Sequence, residues 1–138
     1  MDKILIVDDE VTVCDLLKDF LTLKGYEVFT ASDGHTAINK VKKVCPHIVL
    51  LDIVMPGISG IQLLQEIKKL NPKTEVIMIT AVPDQGIITE SIDLGACDYI
   101  RKPMDLKHVE NIVMKTINNL KIVPVHAIRN KKISQSPL

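Results

Sequence analysis

The chain has 138 residues, of which 46% are hydrophobic, and this length and composition predict a single domain with one buried core. Lysine plus arginine and aspartate plus glutamate each number 17, so the formal net charge is zero, which excludes a general affinity for nucleic acid or anionic membranes. The first apolar run is too short for a signal peptide, and no run approaches the roughly 20 residues of a membrane helix. We therefore expect a cytoplasmic protein with no membrane association.

Five short apolar runs predict β-strands. They lie, in chain order, at residues 4–7, 26–30, 48–51, 76–79 and 99–100. Three of them are uncharged and rich in β-branched residues, as is typical of strands buried on both faces of a sheet. The run at 26–30 is more mixed in polarity and predicts an edge strand.

Apolar residues recur at helical spacing between and after these strands. The helical stripes occupy, in chain order, residues 13–21, 37–44, 61–70, 88–94 and 106–120. A glycine or proline ends each of the first four stripes: Gly25, Pro46, Pro72 and Gly95. These residues mark the expected ends of the helices.

Strand and helix alternate five times, which predicts an α/β domain with one parallel sheet and helices on both faces. One five-stranded solution is the flavodoxin-like order 2-1-3-4-5, whose crevice opens at the carboxyl ends of strands 1 and 3. We assign this domain to residues 1–122. Residues 123–138 are more polar and contain two prolines, and we interpret them as a flexible tail or the stub of a linker.

Candidate functional residues follow the predicted strands at their carboxyl ends. They are, in chain order, Asp8-Asp9-Glu10, Asp52, Thr80 and Lys102. The topology would bring Asp8, Asp9 and Asp52 close together, where like charges repel and a divalent cation would relieve the repulsion. Mg²⁺ suits such a site because it prefers hard oxygen ligands, and Mn²⁺ is an alternative.

Each of these residues also has an ordinary structural explanation. An acidic pair after a strand is favoured at a helix N-terminus, Lys102 is a common surface residue, and Thr80 and Tyr99 are typical of strand ends and cores. However, Pro103 restricts Lys102 to extended geometry and aims it from its strand end. With Asp52 at the neighbouring strand end, we favour a metal site that supports phosphoryl transfer to an aspartate.

The sequence resembles the receiver domains of bacterial two-component response regulators over residues 3–120. The resemblance rests on four segments, which are ILIVDDE, LLDIVMPGISG, VIMITA and DYIRKP in chain order. It implies the 2-1-3-4-5 sheet and a sensor histidine kinase or phosphotransfer protein as phosphoryl donor. It also implies output through helix 4, strand 5 and helix 5 to an effector protein or an output domain, and it is compatible with a phosphorylation-dependent homodimer.

The resemblance also assigns roles to individual residues. Asp52 looks like the phosphoacceptor. Asp9, Asp52 and the carbonyl of Val54 resemble the direct magnesium ligands, and Asp8 acts through water in this scheme.

Two further residues resemble the pair that contacts the bound phosphoryl group, namely Thr80 and Lys102. Tyr99 matches an aromatic residue that rotates inward when Thr80 moves toward the phosphate. The family usually has a cis peptide bond before the proline at position 103, as X-Pro bonds allow.

Three positions bear on how this chain differs from the common pattern. Ser59 stands where aspartate is frequent, and because serine caps helices well, we expect no functional loss. Val54 and Val82 lie two residues after Asp52 and Thr80, where family members tune phosphoryl hydrolysis. Neither valine can orient a water molecule, so we hypothesise a long-lived phosphorylated state.

Other functional classes are also compatible with parts of this pattern. A magnesium-dependent phosphatase with an aspartyl nucleophile usually has Asp-x-Asp after its first strand, whereas residues 8–10 here read Asp-x-Glu. A flavin-binding module would need a phosphate-binding loop that is not evident after strand 1. A phosphate-independent, receiver-like binding module is the remaining alternative to a phosphoaccepting switch.

We expect a signalling switch rather than an enzyme, with self-phosphorylation and self-dephosphorylation chemistry at Asp52, and no direct binding of nucleic acid.

Overall fold

The computed structural model describes residues 1–81 and 84–133, with side chains described as far as residue 121. The elements are β1 (Lys3–Val7), α1 (Val11–Leu23), β2 (Glu27–Ala31), α2 (Gly34–Val44), β3 (Ile48–Asp52), α3 (Gly60–Leu70), β4 (Glu75–Thr80), α4 (Gln85–Asp93), β5 (Ala96–Arg101) and α5 (Leu106–Ile133). Strand and helix alternate as the sequence predicts.

The five strands form one parallel sheet in the order β2-β1-β3-β4-β5. This order confirms the predicted fold class and places β2 at an edge. The central strands β1, β3 and β4 are almost entirely buried, in agreement with their uncharged, β-branched sequences. Because all strands are parallel, their carboxyl ends meet at one edge of the sheet.

The core has two layers, one on each face of the sheet. Alternate residues of β1 enter different layers: Ile4 and Ile6 pack with α1 and α5, whereas Leu5 and Val7 pack with α2 and α3. The helices α1 and α5 therefore cover one face, and α2, α3 and α4 cover the other. This packing holds the strand ends, and the loops that follow them, in fixed positions.

Side chains cap most of the helices that follow strands. Asp33, Ser59 and Asp84 each accept a hydrogen bond from a backbone N–H of the first helical turn of α2, α3 and α4, respectively. The helix-capping role expected of Ser59 is thus present. In contrast, Glu10 stands at the N-cap of α1 and makes no side-chain capping bond.

Two elements differ from the sequence-based expectation. The strand β5 begins at Ala96, earlier than the predicted run at 99–100, because hydrogen bonding to β4 extends it through Cys97 and Asp98. The helix α5 continues to Ile133, so the predicted tail at 123–138 is helical as far as that residue. Residues 134–138 lie outside the described residues, and the flexibility of the tail stays a prediction.

Within the described part of the chain, no helix combines the length and apolar character needed to cross a bilayer.

Candidate functional site

The carboxyl ends of four strands assemble one polar site. Asp8 directly follows β1, Asp52 and Thr80 end β3 and β4, and Lys102 directly follows β5. Backbone hydrogen bonds fix these ends relative to one another: the Asp8 N–H donates to the Ala31 carbonyl at 3.1 Å, and the Lys102 N–H donates to the Thr80 carbonyl at 2.8 Å. The Lys102–Pro103 peptide bond is cis, as the resemblance implies.

The ammonium group of Lys102 lies among three carboxylates. Its Nζ is 2.9 Å from Glu10 Oε1, 3.0 Å from Asp8 Oδ2 and 3.2 Å from Asp52 Oδ2. Only 14% of the Lys102 side chain is exposed, so these ion pairs are shielded from bulk solvent far more than ordinary surface pairs. The structure therefore brings Asp8, Asp52 and Lys102 together from segments far apart in sequence.

The two aspartates of this site are deeply buried. Asp8 is 0% exposed and Asp52 is 4% exposed. One oxygen of each is held by a backbone donor: Asp8 Oδ1 accepts from the Glu10 N–H at 2.9 Å, and Asp52 Oδ1 accepts from the Val54 N–H at 3.1 Å. Asp8 Oδ2 has no hydrogen-bond partner among the described residues and is stabilised only by its ion-pair contact with Lys102. Burial of such an oxygen is costly unless a cation compensates it.

The pKa values of the site record this crowding. Burial, followed by repulsion from the Asp8 carboxylate, raises the pKa of Asp52 above its ordinary value, and the Val54 N–H and Lys102 offset only part of the increase. Burial alone would lower the pKa of the Lys102 ammonium, but its close contacts with the Glu10 and Asp8 carboxylates outweigh that effect and raise it. The acidic site therefore holds Lys102 firmly in its charged form.

Not all of the acidic residues that the sequence indicated converge on one point. Ligand oxygens of Asp8, Glu10 and Asp52 lie within 4.8 Å of one another, which is a suitable spacing for a shared cation. Asp9 is exposed and does not belong to this group, although the resemblance makes it a direct ligand. The sequence places Glu10 directly after the acidic pair and indicates no separate role for it.

The two residues expected to act as a switch lie at the same end of the sheet. Thr80 is buried, with 3% of its surface exposed. Tyr99, in β5, is half-buried and lines a cleft of about 600 Å³ together with Arg101, Pro103 and His108. The cleft therefore lies between β5 and α5, on the surface predicted for output. Val54 is 66% exposed beside the site, and Val82 lies outside the described residues.

Asp8 Oδ2, whose only close contact is the Lys102 ammonium, and the three-acid group fit a divalent cation, because Mg²⁺ and Mn²⁺ prefer hard oxygen ligands. With a divalent cation bound, a buried set of carboxylates next to one ammonium can bind a phosphoryl group. Fold and site together thus define an α/β domain with a polar, acidic site at the carboxyl edge of its sheet.

Comparison with known proteins agrees with this class. Residues 4–114 match the family model of the response regulator receiver domain, and the chain belongs to this family, the receivers of two-component signalling. Sporulation initiation phosphotransferase F of Bacillus subtilis is 38% identical over 114 residues, covering 83% of this chain and 92% of that protein. A CheY-like receiver domain structure from Methanospirillum hungatei superimposes with a TM-score of 0.85 at 29% identity, covering 88% and 97% of the two chains.

Some relatives are much longer than this chain. The regulatory protein AtoC of Escherichia coli is 37% identical over 117 residues, which cover 85% of this chain but only 25% of AtoC. The same kind of domain therefore occurs both in proteins of about this length and as part of larger regulators.

Proposed function

We propose that this domain accepts a phosphoryl group on the carboxylate of Asp52 from a sensor histidine kinase or a phosphotransfer protein. The observation that carries the proposal is the position of Asp52. It ends the central strand β3, it is almost completely buried, and its Oδ2 lies 3.2 Å from the Lys102 ammonium. Burying a carboxylate beside a second carboxylate is costly, and such costs are concentrated at functional sites.

The chemistry at Asp52 is a substitution at phosphorus. An oxygen of Asp52 forms a bond to phosphorus while the bond from phosphorus to the donor's histidine nitrogen breaks. Lys102 follows the negative charge, exchanging its contact with the Asp52 carboxylate for one with a phosphoryl oxygen. Thr80 contributes its hydroxyl to the bound group.

We propose that Asp8, Asp9, Asp52 and the Val54 carbonyl hold Mg²⁺, with Mn²⁺ as a substitute. When bound, such an ion would neutralise negative charge on the phosphoryl oxygens. The support from this chain is the acidic group of Asp8, Glu10 and Asp52 and the buried Oδ2 of Asp8, whose only close contact is the Lys102 ammonium. Asp9 is assigned by the resemblance.

Phosphorylation then shifts the domain between two conformations, and Thr80 and Tyr99 relay the change to the surface of α4, β5 and α5. A preference of a few kcal/mol for the active conformation is sufficient to shift the population strongly. The partner at this surface is an effector protein, an output domain or a second copy of the chain. We expect a long-lived phosphorylated state, because Val54 beside the site has no group to orient an attacking water molecule.

The intact mass of the protein after incubation with acetyl phosphate and Mg²⁺ tests the proposal. We expect the gain of one phosphoryl group in the wild type, and no gain with Asp52→Asn or after removal of the metal. Asp19→Asn is the matched control, because Asp19 is an exposed aspartate on α1 outside the site, and this variant should be phosphorylated normally. If the wild type gains no mass, with a histidine kinase also tried as donor, the phosphate-independent binding module becomes the better assignment.

A further inference from the structure

Glu10 places a third carboxylate in the proposed cation site. We propose that Glu10 is a cation-binding residue that acts with Asp8 and Asp52, and that it raises the affinity of the site for a divalent metal. This inference rests on the proposed function of the same strand edge and extends it by one residue. Neither the common pattern of the resemblance nor the sequence itself gives Glu10 this role.

The geometry around Lys102 carries the proposal. One cationic nitrogen is contacted by carboxylate oxygens from three residues, at 2.9 Å by Glu10, 3.0 Å by Asp8 and 3.2 Å by Asp52. The ammonium is the protein's own cation, and it shows that these oxygens converge on a single point. A metal ion attracted to the same point would compete with the ammonium for these oxygens, because both are cations.

Asp8 supplies an independent observation. It is 0% exposed, and within the described residues its Oδ2 has no hydrogen-bond partner although it points toward the Lys102 ammonium. A buried carboxylate oxygen whose only close contact is a cationic group is a natural ligand for another cation, because among the described residues no neutral N–H or O–H group holds its lone pairs.

Glu10 is held next to that oxygen and its side chain has no other structural task among the described residues. Its backbone N–H donates to Asp8 Oδ1 at 2.9 Å, which fixes the position of one residue relative to the other. It stands at the N-cap of α1, but unlike Asp33, Ser59 and Asp84 in the other helices it caps nothing with its side chain. With 58% of its side chain exposed, Glu10 can also reorient when the cation changes.

Direct metal binding separates this role from a role in holding Lys102. Mn²⁺ would be titrated into the full chain without any phosphoryl donor, and free Mn²⁺ measured by electron paramagnetic resonance, for the wild type, Glu10→Gln, Asp8→Asn and Asp19→Asn. Glutamine keeps the size of Glu10 and one oxygen acceptor, replaces the other oxygen by an NH2 group and removes the negative charge. We expect Glu10→Gln to weaken Mn²⁺ binding about tenfold, within the range found when groups that support a metal site are removed. Asp19→Asn should change it less than about twofold.

A second titration in about 0.5 M salt distinguishes a contact from a distant charge, because salt screens long-range interactions and leaves close ones. We expect most of the Glu10→Gln effect to persist. Unchanged or tighter Mn²⁺ binding by Glu10→Gln, or an effect that disappears in salt, would overturn the inference. If Asp8→Asn still lost binding in that case, the cation site itself would stand. Failure of the wild type to bind Mn²⁺ would instead reject the site together with Glu10.

Discussion

At the amino-terminal edge of the sheet, the side chains of Thr74 and Lys68 donate hydrogen bonds to backbone carbonyls, whereas at the carboxyl-terminal edge three carboxylates share the ammonium of Lys102. Thr74 Oγ1 donates to the Pro46 carbonyl at 2.8 Å, and Lys68 Nζ donates to the carbonyls of Pro72 and Thr74 at 2.9 Å. The strand connections there are also tied by backbone hydrogen bonds. At the opposite edge, Asp8 Oδ2 has no hydrogen bond to any described residue.

This difference indicates that the amino-terminal edge stabilises the fold, whereas the carboxyl-terminal edge lowers its stability. Satisfied polar groups at the amino-terminal edge contribute modestly and uniformly to the folded state. Concentrated charge at the carboxyl-terminal edge is costly until a cation binds, because the buried like charges of Asp8 and Asp52 are kept close together. Parallel sheets commonly place their ligand sites at this edge, which frees the other edge for structural roles.

The largest effect is expected where the backbone of the carboxyl-terminal edge is most tightly packed, at Gly60. A Cβ atom there would lie 2.6 Å from Ile53 Cα and 2.7 Å from the Asp52 carbonyl oxygen, and both neighbours are backbone atoms that cannot simply rotate away. We expect Gly60→Ala to lower the free energy of unfolding by about 3 kcal/mol, measured by urea denaturation.

Gly86→Ala is the matched control, because Gly86 is a helical glycine whose added Cβ would approach only the side-chain Asp84 Oδ1, at 3.2 Å. Alanine is also the better helix former, so this variant should change stability by less than about 1 kcal/mol. Equal losses of stability in the two variants would show that an added Cβ is tolerated at Gly60 as well as at Gly86. The backbone beside the site would then be no more tightly packed than that of an exposed helix.

The sequence predicted the sheet and its site because both depend on strong, local signals. Uncharged β-branched runs identified β1, β3 and β4, and the parallel topology then placed Asp8, Asp52, Thr80 and Lys102 at one edge. No distance between side chains is needed for that step, since strand ends in a parallel sheet meet regardless of detail.

The features that were not predicted depend on tertiary contacts. The start of β5 at Ala96 is set by hydrogen bonding to β4 rather than by its own polarity pattern. The convergence of Glu10 on Lys102 depends on side-chain direction, which the spacing of three consecutive acids does not reveal. The only sequence signal for it is the third acid itself, at a helix N-terminus where Ser, Thr, Asp or Asn is the usual cap.

An intermediate effect is expected at the amino-terminal edge, for Thr74→Val. Valine preserves the shape of threonine but removes the hydrogen bond to the buried Pro46 carbonyl, and Thr74 is only 1% exposed. The loss should be about 1.5 kcal/mol by urea denaturation. Phosphorylation by acetyl phosphate should proceed as in the wild type.

Thr22→Val provides the comparison for Thr74, since Thr22 is exposed on α1 and its substitution should leave stability nearly unchanged. A Thr74 variant that is stable but poorly phosphorylated would contradict the separation of the two edges, because it would place a functional group at the edge assigned to structure.

The smallest effect has the opposite sign and concerns Asp52→Asn without metal. Because burial and the Asp8 carboxylate raise the pKa of Asp52 in the folded state, ionised Asp52 costs stability at neutral pH, and removing the charge should increase the free energy of unfolding by roughly 1 kcal/mol. The cost of the ionised carboxylate disappears as the pH falls and Asp52 takes up a proton in the folded state. The stability difference between Asp52→Asn and the wild type should therefore shrink between pH 7.5 and about pH 4, near the ordinary aspartate pKa.

Urea denaturation in EDTA at the two pH values measures this gain, with the exposed Asp19→Asn as the comparison that should show little change at either pH. A loss of stability in Asp52→Asn at pH 7.5 would mean that the contact of Asp52 with Lys102 outweighs the effects of burial and repulsion. The charges at the carboxyl-terminal edge would then be as well compensated as the polar groups at the amino-terminal edge. The opposite result is that Asp52→Asn is more stable than the wild type at pH 7.5 in EDTA and loses this advantage when Mg²⁺ stabilises only the wild type. That result would mean that the bound cation relieves the charge repulsion at this edge.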